Sequence, residues 1–381
     1  MIEPANRLNI VEEYYFSKKL REISELEAKG ESIINMGIGS PDLQPPSQVV
    51  EVLKNSLKDE KAHQYQSYRG LPELRKAMAN FYKEQYYVRL NSETDVLPLM
   101  GSKEGIMHIS MAFLNPGDEV LIPNPGYPTY ASVTNLVGAK PVFYNLNEDN
   151  KWLPDLAEIQ KQDLSKVKLM WISYPHMPTG AKATKKVFED VVEFAKRNNI
   201  LVVNDNPYSF ILNGYPLSFL NITGAKDIGL ELNSISKSFN MAGWRVGMVV
   251  GINKYIDYIL IVKSNMDSGM FYGLQKGAIK ALNSGTIWFS SLTSIYRQRR
   301  DLVWELAEIL NCTYDKHAAG LFVWAKLPKD SSSSIEFVDL ILKNKGVFIT
   351  PGSIFGSQGE GYIRFSLCVD EEKIQEAINR F

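Results

Sequence analysis

The chain has 381 residues, 45% hydrophobic and 22% charged, enough apolar material for one large core and a second, smaller one. Forty-two basic residues against forty-three acidic ones give a formal net charge of -1, which excludes a global field for holding nucleic acid or an anionic membrane. Two cysteines, Cys312 and Cys368, are too few for a disulfide framework, and four histidines show no metal-ligand spacing. No structural metal and a reducing, cytoplasmic setting are expected.

Glu12 to Lys29 carries Tyr15, Phe16, Leu20, Ile23 and Leu26 at helical spacing and stops at Gly30, which predicts an amphipathic helix. Between about Ser47 and Gly285, helical periods at Leu71 to Tyr86, Ser102 to Leu114 and Thr184 to Asn198 alternate with short apolar runs. Those runs lie at Glu119 to Ile122, Pro141 to Tyr144, Lys168 to Ser173, Ile200 to Asn204, Leu230 to Ile235 and Val246 to Val250. Alternation of this kind predicts an α/β fold with a mostly parallel central sheet covered by helices. Beyond it, a long helix near Ile287 to Leu310, strands near Phe322 to Ala325, Val347 to Thr350 and Tyr362 to Val369, and a helix at Ile335 to Lys343 predict a smaller α+β domain. The expected organisation is an N-terminal arm and helix over residues 1–46 packing with the small domain, a large domain over 47–285 and the small domain over 286–381. No apolar run approaches the length of a membrane helix.

Chemistry concentrates in Ser234-Ile235-Ser236-Lys237-Ser238-Phe239-Asn240-Met241-Ala242-Gly243-Trp244-Arg245-Val246-Gly247, a lysine among hydroxyls followed by an arginine. A lysine becomes an imine-forming nucleophile when it loses its proton near neutral pH, which partial desolvation and a nearby cation promote. Arg245 supplies the cation, and its guanidinium with the Ser234 hydroxyl can hold a phosphate dianion. The segment resembles the lysine region of the fold-type I, class I/II aminotransferases of the aspartate aminotransferase superfamily, at every restricted position. The resemblance extends from Gly39 to Arg364. It implies pyridoxal 5′-phosphate as cofactor, Lys237 as the Schiff-base lysine, ping-pong transfer of an amino group between an L-amino acid and a 2-keto acid, and a homodimer with shared active sites. Ser234-Ile235-Ser236-Lys237 also fits the Ser-x-x-Lys of serine acyl-transfer enzymes, but no Ser-Asp-Asn or Lys-Thr-Gly follows.

Gly101-Ser102-Lys103-Glu104-Gly105 opens a predicted helix straight after an apolar run, where free amides and the positive end of the helix dipole favour a phosphate and Lys103 adds a point charge. A plain helix cap is the alternative. Gly37-Ile38-Gly39 continues as Ser40-Pro41-Asp42, so neither a dinucleotide fingerprint nor a Walker A loop is present. Asp205 closes a predicted buried strand, at the edge where open α/β sheets place ligands, although Asp205-Asn206-Pro207 equally fits a turn. The resemblance sets Asp205 against the cofactor's pyridine nitrogen, Tyr208 on its phenolic oxygen and Tyr127 on its face. It also sets Gly39 and Arg364 on the substrate α-carboxylate, and Tyr65 on the phosphate of the neighbouring subunit. A structural ion pair is the other reading of Arg364. Tyr14, Tyr15, Phe271 and Tyr272 are candidates for a side-chain pocket.

The resemblance breaks at Tyr174-Pro175-His176-Met177-Pro178-Thr179-Gly180, where Met177 occupies the position of an asparagine whose amide donates to the phenolic oxygen. A thioether cannot donate. A carbon–sulfur β-lyase would use the same contacts, and a non-catalytic cofactor-binding regulatory domain is the alternative from a different class.

Overall fold

The computed structural model describes residues 2–331 and 333–381, so Met1 and Ser332 lie outside it. Seven strands form the central sheet, in the order Val96–Leu99, Gly247–Gly251, Gly229–Ser234, Leu201–Asp205, Val167–Ile172, Glu119–Asn124 and Lys140–Asn145. Every neighbouring pair is parallel except the two made by Gly247–Gly251, which runs against both its partners. Successive residues of a strand point to opposite faces, and here both faces are covered by helices. Val96, Met170 and Val202 therefore enter one core with Tyr82 and Phe188, while their chain neighbours Leu97, Leu169 and Val203 enter another with Ile109 and Trp171. That double burial is why the strands read as unbroken apolar runs.

A smaller antiparallel sheet follows the order Thr350–Pro351, Tyr362–Ser366, Phe322–Lys326 and Thr313–Tyr314. Its core gathers Leu292 and Val303 of the long helix Gly285–Ile309 with Phe16 of the N-terminal helix Tyr15–Ala28. The predicted strand Val347 to Thr350 is in two pieces: Val347–Phe348 pairs in parallel with Ile34–Asn35, and Thr350–Pro351 joins the small sheet. The predicted strand Tyr362 to Val369 ends at Ser366. Among the described residues no helix is long and apolar enough to cross a membrane.

Several elements carry no clear period in the sequence. The strand Val96–Leu99 contains Pro98, which lacks an amide hydrogen and is tolerated because this strand lies at the edge of the sheet. The alternation read from the sequence also leaves out the helices Ser47–Ser56, Pro128–Leu136, Asn253–Ser264 and Tyr272–Leu282. The helix Pro128–Leu136 starts with proline, whose fixed φ suits the first turn, and it follows Tyr127 directly.

Candidate active site

Strands Leu201–Asp205 and Gly229–Ser234 run in parallel, with Asp205 opposite Leu232, so Asp205 and Ser234 both finish at one edge of the sheet. Ser234 then caps the short helix Ile235–Ser238 by accepting from the Ser236 amide, and this turn carries Lys237. A cavity of about 690 Å³ opens here. Its wall includes Gly39, Ser102, Lys103, Tyr127, Met177, Asp205, Tyr208, Ser234, Lys237, Arg245 and Arg364, residues spread over most of the chain.

Lys237 Nζ donates to the Gly39 carbonyl at 2.5 Å. Burial pushes its ammonium below the usual lysine range, and repulsion from Arg364 and then Arg245 adds to this. The sequence pointed to Arg245 as the cation that lowers Lys237; desolvation and Arg364 both outrank it.

Arg245 sits in the left-handed region at φ 54°, a conformation that turns its side chain back toward the Gly101 turn, and its Nη1 donates to the Ala242 carbonyl. Gly101 has φ +93°, and a Cβ there would fall 1.9 Å from Arg245 Nη2. Only glycine leaves that gap. Lys103 Nζ lies 4.5 Å from the centre of the Tyr14 ring, and burial and Arg245 both lower its pKa. Lys103, Arg245, Ser102 at the helix start and Ser234 thus line one cavity.

Asp205 is 6% exposed; its Oδ2 accepts from the Tyr130 hydroxyl at 2.8 Å, while its Oδ1 has no partner. Burial raises its pKa to about 6, the Tyr130 bond works against this, and the Glu231 carboxylate adds to it. A buried carboxylate oxygen left unpaired at a cavity fits a cationic ring N–H. The chain also turns directly after Asp205-Asn206, so the turn and the binding-site reading hold together.

Arg364 is 3% exposed and forms no salt bridge among the described residues. Its Nη2 donates to the Gly37 carbonyl at 2.7 Å, its Nη1 reaches Met177 Sδ at 3.4 Å, and its Nε is unpartnered. The guanidinium carbon lies 3.9 Å from the centre of the Phe322 ring, 4.7 Å from that of Phe355 and 5.4 Å from that of Phe16. Burial lowers its pKa to about 10. The ion-pair reading of Arg364 therefore does not hold; what faces this cation is rings, a sulfur and the cavity. Gly39 is equally constrained, since a Cβ there would meet Phe322 Cζ at 2.3 Å.

Other expectations fare unevenly. Tyr65 stands 91% exposed, away from the cavity of its own chain. Tyr14 lines the cavity, but Tyr272 instead donates to Asp59 and Phe271 is 42% exposed. His176 is not part of the cavity wall; its Nδ1 pairs with Thr179 Oγ1 at 2.9 Å, its Nε2 has no partner among the described residues, and burial pushes it down to about 3. The sequence reading missed Tyr130 and the Phe16–Phe322–Phe355 cage, whose members are recognisable only once distant elements meet.

A sheet of this order, with a lysine on the turn leaving one strand and a carboxylate closing the next, is the architecture of fold-type I pyridoxal-phosphate enzymes. The model of the family "Aminotransferase class I and II" matches residues 31–381, and the chain belongs to that family. It is 44% identical to an LL-diaminopimelate aminotransferase of Dehalococcoides mccartyi over 376 residues, 98% of this chain and 97% of the relative. A second LL-diaminopimelate aminotransferase, from Halothermothrix orenii, is 40% identical over 100% of this chain and 98% of its own. The substrate-bound structure of BacF from Bacillus subtilis superposes with a TM-score of 0.96 at 36% identity, covering 100% of this chain and 97% of that one. The protein is a pyridoxal-phosphate-dependent aminotransferase.

Proposed function

We propose that this enzyme transfers the amino group of LL-diaminopimelate to a 2-keto acid, working as a homodimer with shared sites. The observation that carries an amino-acid substrate is Arg364, a buried guanidinium with no carboxylate of the described protein beside it, opening into the same cavity as Lys237. A planar fork with free donors suits an α-carboxylate held bidentately. LL-diaminopimelate is favoured by relatives of that name aligned over almost the whole chain. The cavity wall also takes in Ser17 and Leu20 of the N-terminal region and the rings of Tyr14, Phe16, Phe322 and Phe355. Those aromatic walls favour an aromatic amino donor as the second reading.

Bound pyridoxal phosphate supplies an aldehyde that condenses with amines and a ring that takes up the electron pair left when Cα loses its proton. Around it, Arg364 and the backbone at Gly39 orient the substrate carboxylate. Lys237 Nζ, kept unprotonated by burial, would take the proton from Cα and return one at the cofactor's C4′. Asp205 Oδ1 would accept from the protonated ring nitrogen, Tyr208 would donate to the phenolic oxygen, and Tyr127 would cover one face. Gly101, Ser102, Ser234, Arg245 and Lys103 would hold the phosphate. The exposure of Tyr65 on its own chain leaves it free to act at a partner's site, as the dimer requires.

The test is a panel of amino donors against 2-oxoglutarate. LL-diaminopimelate is expected to give glutamate with ping-pong kinetics, and Lys237→Ala to lose both the cofactor's visible absorbance band and more than roughly 10³-fold in turnover. Near-wild-type transfer in that variant would end the assignment. Keto-acid release without any amino acceptor would point to the lyase instead, and a preference for phenylalanine to the aromatic reading.

A further inference from the structure

We propose that Tyr130 is a positioning residue for the transamination, holding the edge and the face of the cofactor ring at once through Asp205 and Tyr127. The inference rests on the roles given above to those two residues. Tyr130 is 1% exposed and sits on the helix Pro128–Leu136, one turn after Tyr127. Its hydroxyl donates to Asp205 Oδ2 at 2.8 Å, which leaves Oδ1 as the only free carboxylate oxygen at the cavity. Its ring stacks on Trp171, with centroids 4.8 Å apart and planes at 6°, so the phenol cannot swing away from Asp205 without breaking that stack. The same ring meets Tyr127 at 88° with centroids 5.5 Å apart. One side chain thus braces two groups that approach the ring from different directions.

The hydroxyl has a second consequence. Asp205 is buried, feels the charges of Glu231, Tyr127 and Tyr208, and shares the cavity with Lys237; among the described residues its only side-chain donor is Tyr130. Burial and the Asp205 charge hold the Tyr130 phenol far above its ordinary value, so it stays protonated and always donates. That bond works against the burial that would otherwise neutralise Asp205. Without it the carboxylate would pick up a proton at higher pH and stop accepting from a ring N–H.

Binding of pyridoxal 5′-phosphate to the apoprotein separates this from a packing role. Tyr130→Phe keeps the stack and loses only the hydroxyl. Its dissociation constant is expected near the wild-type value at pH 8.5 and about tenfold weaker at pH 5.5, since a hydrogen bond to a charged group moves a pKa by roughly one to two units. Tyr130→Leu, which also removes the brace on Tyr127, should add a further loss that does not vary with pH. In an Asp205→Asn background, Tyr130→Phe should leave no pH-dependent difference. An equal deficit at every pH, or none, would overturn the inference while leaving the role of Asp205 intact. Wild-type cofactor affinity in Asp205→Asn alone would overturn the reading of Asp205 and this inference with it.

Discussion

Two buried arginines, Arg299 and Arg364, contrast a charge paired with the protein's own acids and one left facing a cavity. Arg299, at the foot of the small sheet, is fully committed. It holds Asp42 through both Nη atoms at 2.7 and 2.9 Å, Glu371 through Nε at 3.2 Å and the Leu367 carbonyl at 3.1 Å. Burial alone would lower its pKa, but Asp42 and Glu371 more than offset this and keep it above the usual guanidinium value. Arg364 has the burial without the carboxylates, and its pKa falls to about 10. The buried acids repeat the contrast: Glu231 accepts from Tyr82, Asn204, Asn206 and the Phe219 amide, whereas Asp205 keeps one oxygen bare. An unsatisfied buried charge costs stability, so its persistence at one cavity marks where a ligand completes the site.

The contrast breaks most visibly through the arginines themselves. Arg364→Met is expected to lower kcat/KM for amino donors by roughly 10²–10³, about 3–4 kcal/mol for two charge-assisted bonds, with no loss of melting temperature in the apoprotein. Arg299→Met should do the reverse, destabilising the fold by about 2 kcal/mol, less than a fully buried pair because Asp42 and Glu371 are 31% and 39% exposed, while KM changes little. Thermal melts and steady-state kinetics on both variants decide it. Melting of Arg364→Met with unchanged KM would reverse the two assignments.

Asp205 sharpens the comparison through pH. Its pKa in the folded apoprotein is raised to about 6 from the usual 3.8, so the stability it contributes is present below 3.8 and lost as pH rises through about 6. Apo Asp205→Asn should therefore be more stable than the wild type above pH 6, by up to about 3 kcal/mol, and match it below pH 4. With cofactor bound the order should invert. Denaturant melts across that range, with and without cofactor, provide the measurement; an Asn variant less stable than wild type in the apo state at pH 8 would contradict it.

The smallest effect is expected at Met177. Its sulfur touches Arg364 where an amide would donate to the cofactor's phenolic oxygen, so Met177→Asn should lower the pH at which the visible band titrates by roughly one to two units. A spectral titration giving an equal or higher midpoint in the variant would refute this.

The sequence exposed those parts of the site that lie within single segments. Lys237, Ser234 and Arg245 share one stretch, and Asp205 follows an apolar run whose end marks the ligand edge of an α/β sheet. What stayed hidden depends on segments far apart in the chain. Phe16, Phe322 and Phe355 look like ordinary core residues until three elements bring their rings around Arg364. Tyr130 reads as one more aromatic in a short helix until Asp205, 75 residues later, reaches its hydroxyl. In the fold, the alternation of helices and apolar runs gave the parallel sheet, but the reversed strand Gly247–Gly251 has the same composition as its neighbours, and direction leaves no mark in composition.

The pairing of Ile34 with Val347 carries a consequence for synthesis. Arg364 leans on Gly37, and the Ser366 amide donates to the Met36 carbonyl, so this wall of the cavity joins early residues to late ones. While the chain is still being translated, the central sheet can collapse behind the ribosome, but the segment around Met36 must wait for more than three hundred residues before its partner strand emerges. Phe16 and Met36, both buried in the finished protein, lie in the core that those late residues complete. The nascent polypeptide can thus shape a cofactor cradle well before it has any means of recognising an amino acid.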